Sequence, residues 1–271
     1  MTRLREDDIV NISSQLKEYD NQLLLKVGKT LAGIAAHAIG RTEKEIYISH
    51  EDIVAAVVPM SCGEGIINGF SQTVQKIIEF MGFASFVTGS SDVGGLAEAV
   101  SRGAKVIFLG DDDNFIAVNT SKGKIVDNGI ATGRGYGAAL DLMAGGIQGK
   151  EVLLMGAGPV GTGAAEFMAS RGARVLIYDI DINKAERLKE AGFAAQTVNE
   201  LDEALESCNL VLDATPAAGI IGKEFITQST MICAPGIPLG LCDECIPLVS
   251  GRLVHDALEI GVATMLFEAV V

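Results

Sequence analysis

The feature that most constrains the fold is a glycine-rich turn at residues 156–161, with the sequence Gly-Ala-Gly-Pro-Val-Gly. Residues 151–155, before the turn, form an apolar run of strand length, and residues 160–170 carry apolar side chains at helical spacing. A strand that turns through glycines directly into a helix opens a nucleotide-binding βαβ unit. The turn therefore predicts a parallel sheet flanked by helices in the second half of the chain.

Each position of the turn has a role in such a unit. Gly156 permits the tight turn, Gly158 lets the backbone reach a pyrophosphate, and Gly161 lets the helix lie close to the sheet. Pro159 and Val160 begin the helix, whose unpaired N–H groups and positive dipole end suit phosphate. We therefore expect a bound dinucleotide.

The predicted strand at 174–178 is followed by Asp179, about where a ribose-binding acid belongs. A carboxylate there accepts hydrogen bonds from ribose hydroxyls and repels a 2′-phosphate, so we expect NAD rather than NADP as the cofactor. Lys184 and Arg187 would suit a phosphate, but they lie in the predicted helix 183–191, where solvated cations are ordinary.

Two later apolar runs, residues 210–213 and 231–233, are predicted strands of the same sheet. In a doubly wound sheet, ligands bind outside the carboxyl ends of strands, so the turns after both runs are candidates to face the nicotinamide half. Simple chain reversal is the alternative role. The candidate residues are Thr215, Pro216, Pro235 and Gly236.

Before the glycine turn, the chain has helices and then a further α/β region. Apolar residues recur at helical spacing over 7–40, and short apolar runs then alternate with amphipathic segments. A glycine-rich break at 145–149 separates the halves. We predict an α/β protein: N-terminal helices and an α/β substrate-binding domain, residues 1–147, then a C-terminal Rossmann domain, residues 148–271, with a doubly wound, mostly parallel sheet.

The same patterns predict the individual elements. The predicted strands are 53–59, 83–87, 105–109, 151–155, 174–178, 210–213, 231–233 and 253–254, with a hairpin from 115–118 and 125–126. The predicted helices are two within 7–40, then 66–81, 93–102, 132–144, 160–170, 183–191 and 258–269.

Charge and hydropathy narrow the partners. The net charge is −14 and no cluster of lysine and arginine is present to neutralise phosphates, so we expect no nucleic-acid partner. The first eight residues are charged where a signal peptide needs an apolar segment, and no apolar run reaches transmembrane length. We therefore expect a cytoplasmic protein with no membrane partner.

The cysteines and histidines do not indicate a metal site. Free thiols are the usual state of cysteines in a cytoplasmic chain. Cys242 and Cys245 form a C-x-x-C pair, but His37, His50 and His255 show no ligand spacing. We expect no metal ion.

A turn of small residues at 57–71 is the most informative stretch of the first half. It reads Val-Val-Pro-Met-Ser-Cys-Gly-Glu-Gly-Ile-Ile-Asn-Gly-Phe-Ser and joins a predicted strand to a predicted helix. Its backbone N–H groups and hydroxyls suit a carboxylate, which hints at an amino acid or a similar acid as substrate. A plain strand-to-helix loop is the alternative interpretation.

Three aspartates, residues 111–113, follow the predicted strand 105–109, so at least one carboxylate should lie at the same sheet edge as that turn. A carboxylate in a cleft can hold a substrate ammonium, and an acidic solvated loop is the alternative. Asn128, after the predicted hairpin, is placed to hydrogen-bond the same ligand. Cys62 has no histidine placed to activate it, so we interpret it as pocket wall.

These residues together resemble the PylD family, which contains the dehydrogenase of pyrrolysine biosynthesis. The resemblance runs over nearly the whole chain and is too ordered for a generic Rossmann match. The segments that carry it are Val58-Pro59, Gly65-Ile66-Ile67, Gly82-Phe83, 85–88, Asp92-Val93, 98–100, Gly103-Ala104, Asp111-Asp112, Asn128, the glycine turn, 214–216 and 235–238.

The resemblance implies a two-domain enzyme that uses NAD on a small molecule, L-lysine-Nε-3-methyl-D-ornithine. The terminal amine carbon of the ornithine moiety is oxidised to a semialdehyde, which closes on the neighbouring amine and loses water to give pyrrolysine. We hypothesise that Asp111 holds the amine so that the adjacent carbon lies against nicotinamide C4. The implied substrate-binding residues are Leu4, Arg5, Met60, Ser61, Cys62, Ser71, Asp111 and Asn128.

Two departures from the family pattern affect this pocket. Ser61-Cys62 stands where relatives have Thr-Ser, and Asn68-Gly69 stands where they have Gly-Asn. Both keep the backbone role of the turn and change its side chains.

Other functions are compatible with parts of the pattern. One is another two-domain NAD(P) dehydrogenase of a small amino or hydroxy acid, similar to shikimate or methylene-tetrahydrofolate dehydrogenases. Those enzymes usually rely on a lysine in the substrate half, and no lysine lies in 59–71 or 111–113. Another is a non-catalytic module that senses NAD. The oligomeric state stays open, because the N-terminal helices suit a partner copy as well as their own chain, and a homo-oligomer is compatible with the sequence.

Overall fold

The computed structural model describes residues 4–48 and 52–271. In the part described before the first sheet, the helices are α1 (Glu6–Ile9), α2 (Ile12–Val27), α3 (Leu31–Ala38) and α4 (Glu43–Ile48). The spacing predicts two helices within 7–40. The structure has three helices there, α1, α2 and α3. The break between α2 and α3 arises because Gly28, with φ 77°, ends α2, and the side chain of Thr30 accepts a hydrogen bond from Gly33 N to begin α3.

The first sheet has the strand order β2-β1-β3-β4-β5. Its elements and the helices between them are β1 (Val54–Pro59), α5 (Phe70–Phe80), β2 (Ala84–Val87), α6 (Asp92–Ser101), β3 (Val106–Gly110), β4 (Phe115–Asn119), β5 (Lys124–Asp127) and α7 (Asn128–Met143). β1 pairs in parallel with β2 and β3, and β3, β4 and β5 pair antiparallel, as the hairpin pattern predicts.

The second sheet is wholly parallel, in the order β11-β10-β9-β6-β7-β8. Its elements are β6 (Glu151–Met155), α8 (Pro159–Ser170), β7 (Arg174–Tyr178), α9 (Ile182–Glu190), β8 (Gln196–Thr197), α10 (Leu201–Ser207), β9 (Leu210–Asp213), β10 (Met231–Cys233), α11 (Ile246–Val249), β11 (Leu253–Val254) and α12 (Glu259–Val270). The order reverses between β6 and β9, which is the switch point of a doubly wound Rossmann sheet. The predicted α/β class is confirmed. Within 4–48 and 52–271, no helix has the length and apolar character needed to cross a bilayer.

Two helix starts differ from the sequence-based prediction. α5 begins after residue 66 because Gly65 and Gly69 have left-handed φ values of 88° and 81°, which a continuous helix does not allow. α7 begins at Asn128 rather than at residue 132. The side chain of Asp127 accepts a hydrogen bond at 2.9 Å from a first-turn N–H and caps the helix.

The short elements without a counterpart in the sequence-based prediction include α4, β8, α10 and α11. α4 occupies a polar stretch, where a capping box forms: the carboxylate of Glu45 accepts a hydrogen bond from Thr42 N at 2.7 Å, and Thr42 Oγ1 accepts one from Glu45 N at 3.3 Å. β8 and α10 are too short to show a periodic apolar pattern.

Glycines allow three helices to cross closely where the two halves meet. A Cβ atom added at Gly133 of α7 or at Gly163 of α8 would overlap backbone atoms of the facing helix. One added at Gly261 of α12 would overlap the side chain of Thr132 in α7. α7, α8 and α12 therefore form a tightly packed joint between the sheets.

The C-terminal helix returns to the first sheet. α12 packs against α3, α5 and β4, and Asn119 Nδ2 donates a hydrogen bond to the carbonyl of Ala269 at 2.8 Å. By its contacts the last helix belongs with the first sheet. The division into domains of residues 1–147 and 148–271 remains a proposal, and α12, although it lies in the second range, packs against elements of the first.

The helices that follow the carboxyl edges of the two sheets start next to each other, and the space beside these edges is called the cleft below. α7 starts directly after β5, α12 starts just after β11, and the first turns of these two helices lie side by side, with a Cβ on Gly261 falling 3.2 Å from Asn128 Nδ2. Ligands of doubly wound sheets bind outside the carboxyl ends of the strands. The topology thus places the glycine turn after β6 and the turns after β1 and β3 on the side of the sheets where α7 and α12 begin.

Candidate functional site

The glycine turn has the geometry of a phosphate-binding loop. Gly156 has a φ of 96°, and a Cβ there would lie 2.9 Å from the carbonyl oxygen of Ala214. A Cβ at Gly161 would overlap the carbonyl of Gly156, whereas one at Gly158 would meet nothing within 4 Å. Packing thus requires glycine at positions 156 and 161. Gly158 faces open space, where a ligand can approach the protein backbone closely.

The start of α8 faces this open space. Gly158 is the N-cap residue and has no side chain to satisfy the first N–H groups, and Pro159, at the first helical position, has no N–H to satisfy. Val160 follows in the first turn. Donors left without an intrahelical partner, together with the positive end of the helix dipole, suit a pyrophosphate.

Asp179 lies at the end of β7 against the glycine turn. Its Oδ2 accepts a hydrogen bond from Ala157 N at 2.6 Å, and its Oδ1 accepts one from Asp181 N at 2.8 Å. The two backbone donors fix the direction of the half-buried carboxylate. The carboxylate is therefore fixed directly beside the glycine turn.

The turns after β9 and β10 meet at the same edge. Asp213 is buried, and its Oδ1 accepts hydrogen bonds from Thr215 N at 3.0 Å and Thr215 Oγ1 at 2.7 Å. Burial raises the pKa of the Asp213 carboxyl. A Cβ at Gly236 would overlap the carbonyl of Thr215, and Pro216 and Pro235 border this contact, the first exposed and the second half-buried. Both turns are thus held against each other beside Gly156.

The small-residue turn after β1 is held at both ends by carboxylates of its own chain. Ser61 donates to Asp92 from its backbone N at 2.7 Å and from its Oγ at 2.5 Å. Glu64 N donates to Asp112 Oδ2 at 2.5 Å. Several donors that the sequence offers to a substrate carboxylate are therefore engaged within the protein.

Asp111 is the exposed acid nearest this turn. Its Oδ1 accepts hydrogen bonds from Asn114 N at 2.7 Å and Asp113 N at 2.9 Å, and its Oδ2 lies 3.8 Å from Cys62 Sγ. Those backbone donors, with a smaller contribution from the Cys62 thiol, lower the pKa of Asp111, so the carboxylate is ionised at neutral pH. Oδ2 is the oxygen directed toward the turn.

The other predicted substrate residues are spread around the cleft. Asn128 is buried at the start of α7, and its Nδ2 lies 2.9 Å from the sulfur of Met265 in α12. Ser71 is buried in the first turn of α5, against which α1 packs; Leu4, just before α1, is half-buried. The remaining two are Arg5, which is exposed, and Met60, which packs toward α6.

Sequence reasoning missed a buried acidic pair at the start of α12. Burial, and then the neighbouring Asp256 carboxylate, raise the pKa of Glu259 to about 8. Tyr19 Oη donates to Asp256 Oδ2 at 2.5 Å, and Asp256 N donates to Tyr136 Oη at 2.8 Å. The available signal was two acids directly after a predicted strand, in an otherwise apolar segment.

A cavity of about 480 Å³ lies away from the glycine turn and from the Asp111 loop. Its lining includes Lys124, Arg134 and Arg171, and it lies at the C-terminal end of α8, the end opposite the glycine turn.

The fold and the glycine turn are those of an NAD-binding Rossmann dehydrogenase. Residues 134–237 match the NAD-binding domain of S-adenosyl-L-homocysteine hydrolase. The structure is similar to quinate dehydrogenase from Corynebacterium glutamicum in complex with NAD, with a TM-score of 0.53, 12% identity and coverage of 80% of this chain and 93% of that one. Shikimate 5-dehydrogenase from Thermus thermophilus gives a TM-score of 0.52, 17% identity and coverage of 79% and 93%. At such identities these likenesses show the fold.

The sequence comparisons identify the family. Residues 8–126 match the N-terminal domain of the pyrrolysine biosynthesis protein PylD. Pyrrolysine synthase from Methanosarcina barkeri is 33% identical, with 99% of this chain and 98% of that protein covered. The pyrrolysine synthase of Methanosarcina acetivorans is also 33% identical, with 99% of each chain covered. The chain belongs to the PylD family, as its motifs predict.

Proposed function

We propose that the protein uses NAD to oxidise the terminal amine carbon of L-lysine-Nε-3-methyl-D-ornithine to a semialdehyde that cyclises to pyrrolysine. The observation that carries this proposal is the carboxylate of Asp111 at the cleft, in a chain related over its whole length to two pyrrolysine synthases. Backbone donors occupy Oδ1 and leave Oδ2 for a cationic substrate group.

Asp111 serves as the anchor of the substrate amine. Its lowered pKa keeps it ionised, so it forms a charge-assisted hydrogen bond to an ammonium at neutral pH. Because Asp113 N and Asn114 N fix the carboxylate, the bound amine has one defined position. Leu4, Arg5, Met60, Ser71 and Asn128 surround the rest of the molecule in this proposal.

The overall change balances with water as co-substrate. R–CH2–NH3⁺, NAD⁺ and H2O give R–CHO, NADH, NH4⁺ and H⁺. NAD, when bound, supplies the hydride acceptor. The protein contributes positioning. Asp111 places the reacting carbon of the substrate, and the glycine turn and Asp179 hold NAD across the cleft. The aldehyde then condenses with the neighbouring amine of the same molecule and loses water.

The cofactor residues divide into two groups in this proposal. Gly158, Val160 and Gly161 hold the pyrophosphate through backbone N–H groups, Gly156 and Pro159 shape the turn that presents those groups, and Asp179 accepts from the ribose hydroxyls. The second group borders the nicotinamide half and comprises Thr215, Pro216, Pro235 and Gly236.

Mass spectrometry tests the reaction directly. The purified protein is incubated with NAD and lysyl-methylornithine, and we expect the mass of pyrrolysine together with NADH absorbance at equal molar yield. Asp111→Ala should lower kcat/KM by about tenfold to hundredfold, the usual cost of losing a hydrogen bond to a charged group. NADH binding should be unchanged.

Asp113→Asn is the matched control, because it removes a neighbouring exposed charge and keeps the backbone N–H that orients Asp111. Wild-type protein that binds NADH and forms no pyrrolysine would overturn the proposed function. Equal activity of Asp111→Ala and Asp113→Asn would overturn only the role of Asp111.

The fold likeness favours one second candidate, an NAD(P) dehydrogenase of a small hydroxy acid. Against it, no lysine lies in residues 59–71 or 111–114, near the first-sheet edge of the cleft. Shikimate and quinate in the same absorbance assay separate the two candidates. NADH binding without turnover of any of the three substrates would instead indicate an NAD-sensing module.

A further inference from the structure

Asp92, the first residue of α6, has a backbone conformation that is rare for its residue type. Among the described non-glycine residues it alone has a positive φ, 54°. Left-handed conformations of residues with a side chain cost free energy and persist only where the surroundings fix them. The position of Asp92 therefore needs a structural cause and invites a functional one.

The cause is the packing of the β2–α6 connection. A Cβ at Gly95 would lie 2.6 Å from the side chain of Val58 in β1, so the start of α6 is pressed onto the carboxyl end of that strand. Glu98 Oε2 reaches back from the next turn and accepts hydrogen bonds from Gly89 N at 2.9 Å and Ser90 N at 3.1 Å. The loop before Asp92 is fixed from both sides.

This conformation aims the Asp92 carboxylate at the turn after β1. Oδ1 accepts from Ser61 N at 2.7 Å, and Oδ2 accepts from Ser61 Oγ at 2.5 Å. One carboxylate thus receives both donors of one residue, a two-point contact that fixes the backbone and the side chain together. Those hydrogen bonds lower the pKa of Asp92, so its carboxylate is ionised at neutral pH and the hydrogen bonds from Ser61 are charge-assisted.

The contact continues to the proposed amine anchor. Ser61 precedes Cys62, whose Sγ lies 3.8 Å from Asp111 Oδ2. At the far end of the turn, Glu64 N donates to Asp112, the residue after Asp111. A shift of Ser61 would therefore move the turn relative to the carboxylate that holds the substrate.

We propose that Asp92 is a positioning residue of the amine oxidation, which holds the Ser61 turn against Asp111 and so shapes the substrate pocket. This inference rests on the proposed function. It also gives Ser61 an indirect role, because its N–H and its O–H are both committed to Asp92 and it meets the substrate at most as an acceptor.

Steady-state kinetics test the proposal with lysyl-methylornithine as the varied substrate at saturating NAD. Asp92→Asn removes the charge, keeps an oxygen acceptor and suits a left-handed φ. We expect it to raise KM about tenfold, the lower range for a charged hydrogen bond, with little change in kcat. The NADH dissociation constant should stay at the wild-type value, which also shows that the variant is folded.

A double-mutant cycle separates this role from a general loss of structure. Ser61→Ala should raise KM about as much as Asp92→Asn, and the double variant should be no worse than either single one, because all three lose the hydrogen bond from Ser61 Oγ to the carboxylate and keep an oxygen for Ser61 N. Ser61→Thr, which keeps the hydroxyl, should restore KM. Asp113→Asn serves as the charge-matched control. Additive effects, or a KM for Asp92→Asn equal to that of Asp113→Asn, would overturn the proposal.

Amide hydrogen exchange tests the contact without any turnover. In the wild-type protein the segment around residues 59–66 should be protected, and Asp92→Asn should accelerate its exchange about tenfold while segments of the second sheet are unchanged. Unchanged exchange in 59–66 would refute the contact whether or not the protein makes pyrrolysine. If Asp92→Asn accelerates the exchange but the wild-type protein shows no turnover, the contact is supported and the failure lies in the proposed function instead.

Discussion

The carboxylate of Asp179 accepts a hydrogen bond from the backbone N–H of Ala157 at 2.6 Å, so the acid at the end of β7 holds the glycine turn after β6. The two sites that bind ribose and pyrophosphate in this proposal are thereby one rigid unit across neighbouring parallel strands. A change at Asp179 should act on cofactor choice and on the turn together.

Replacing Asp179 by Asn should weaken discrimination between NAD and NADP. The neutral amide no longer repels a 2′-phosphate and accepts less strongly from ribose, so we expect kcat/KM for NAD to fall about tenfold and that for NADP to rise. Kinetics with both cofactors measure the ratio, and Asp202→Asn, an exposed change on α10, is the control. A wild-type preference retained in the variant would contradict the role of Asp179.

The glycines of α8 and of its turn should respond in opposite ways to alanine. Gly163→Ala places a Cβ on the backbone of α7, and we expect a loss of roughly 1–3 kcal/mol in the free energy of unfolding, the range for overpacked sites. Gly158→Ala meets no protein atom within 4 Å, so its stability should be unchanged while NADH affinity falls. Denaturant unfolding and NADH titration distinguish the two. If Gly158→Ala and Gly163→Ala lost the same stability, the space beside Gly158 would be filled by protein atoms and could not receive a ligand.

The cofactor half of the fold could be predicted from the sequence because its signals are local. A buried run, a glycine turn and an amphipathic segment follow one another within 151–170, and each sets its own backbone conformation. The strand bounds in this half match the prediction at Glu151–Met155 and Arg174–Tyr178 for the same reason.

The substrate half depends on contacts that no local pattern encodes. Ser61 and Asp92 are far apart in sequence and meet because β1 and β2 are neighbours in the sheet. The positive φ of Asp92 follows from packing at Gly95 rather than from its residue type. Glu259 was missed because its burial depends on tertiary packing, in which α12 lies against α7 and the side chains of Tyr19 and Tyr136 come near its carboxyl group.

The C-terminal helix should depend on cationic side chains of the first half. Arg134 donates to both carboxylate oxygens of Glu268, at 2.7 and 2.8 Å, and to Glu166 Oε2 at 2.7 Å from its other nitrogen. Because Arg134 is half-buried and bonds the carboxylates of both Glu166 and Glu268, Arg134→Ala should lower the free energy of unfolding by about 1–3 kcal/mol. Lys189→Ala, an exposed pair on α9, should cost under about 1 kcal/mol in the same denaturant experiment. Equal costs would show that Arg134 does not anchor α12.

The raised pKa of Glu259 predicts that stability falls as the pH rises from the unfolded value of 4.5 to the folded value of about 8. Burial beside Asp256 raises its pKa to about 8, whereas the unfolded chain has an ordinary carboxyl pKa near 4.5. Between these values the folded protein keeps a proton that the unfolded chain releases. This contribution to stability is fully present below the unfolded pKa and is lost as pH rises through about 8.

Comparing Glu259→Gln with the wild-type protein from pH 6 to 9 isolates this group, because Asp213, whose pKa burial also raises, is present in both proteins. Asp92, Asp111 and Glu98 have lowered pKa values, so their titration is complete below that range. Glu259→Gln, which keeps the size and stays neutral, should flatten the decline in Tm between pH 6 and 9 and exceed wild type at the upper end. Glu203→Gln, an exposed change that removes the same charge, should retain the wild-type slope. A Glu259→Gln profile parallel to that of Glu203→Gln would show that Glu259 is ionised in the folded protein at neutral pH.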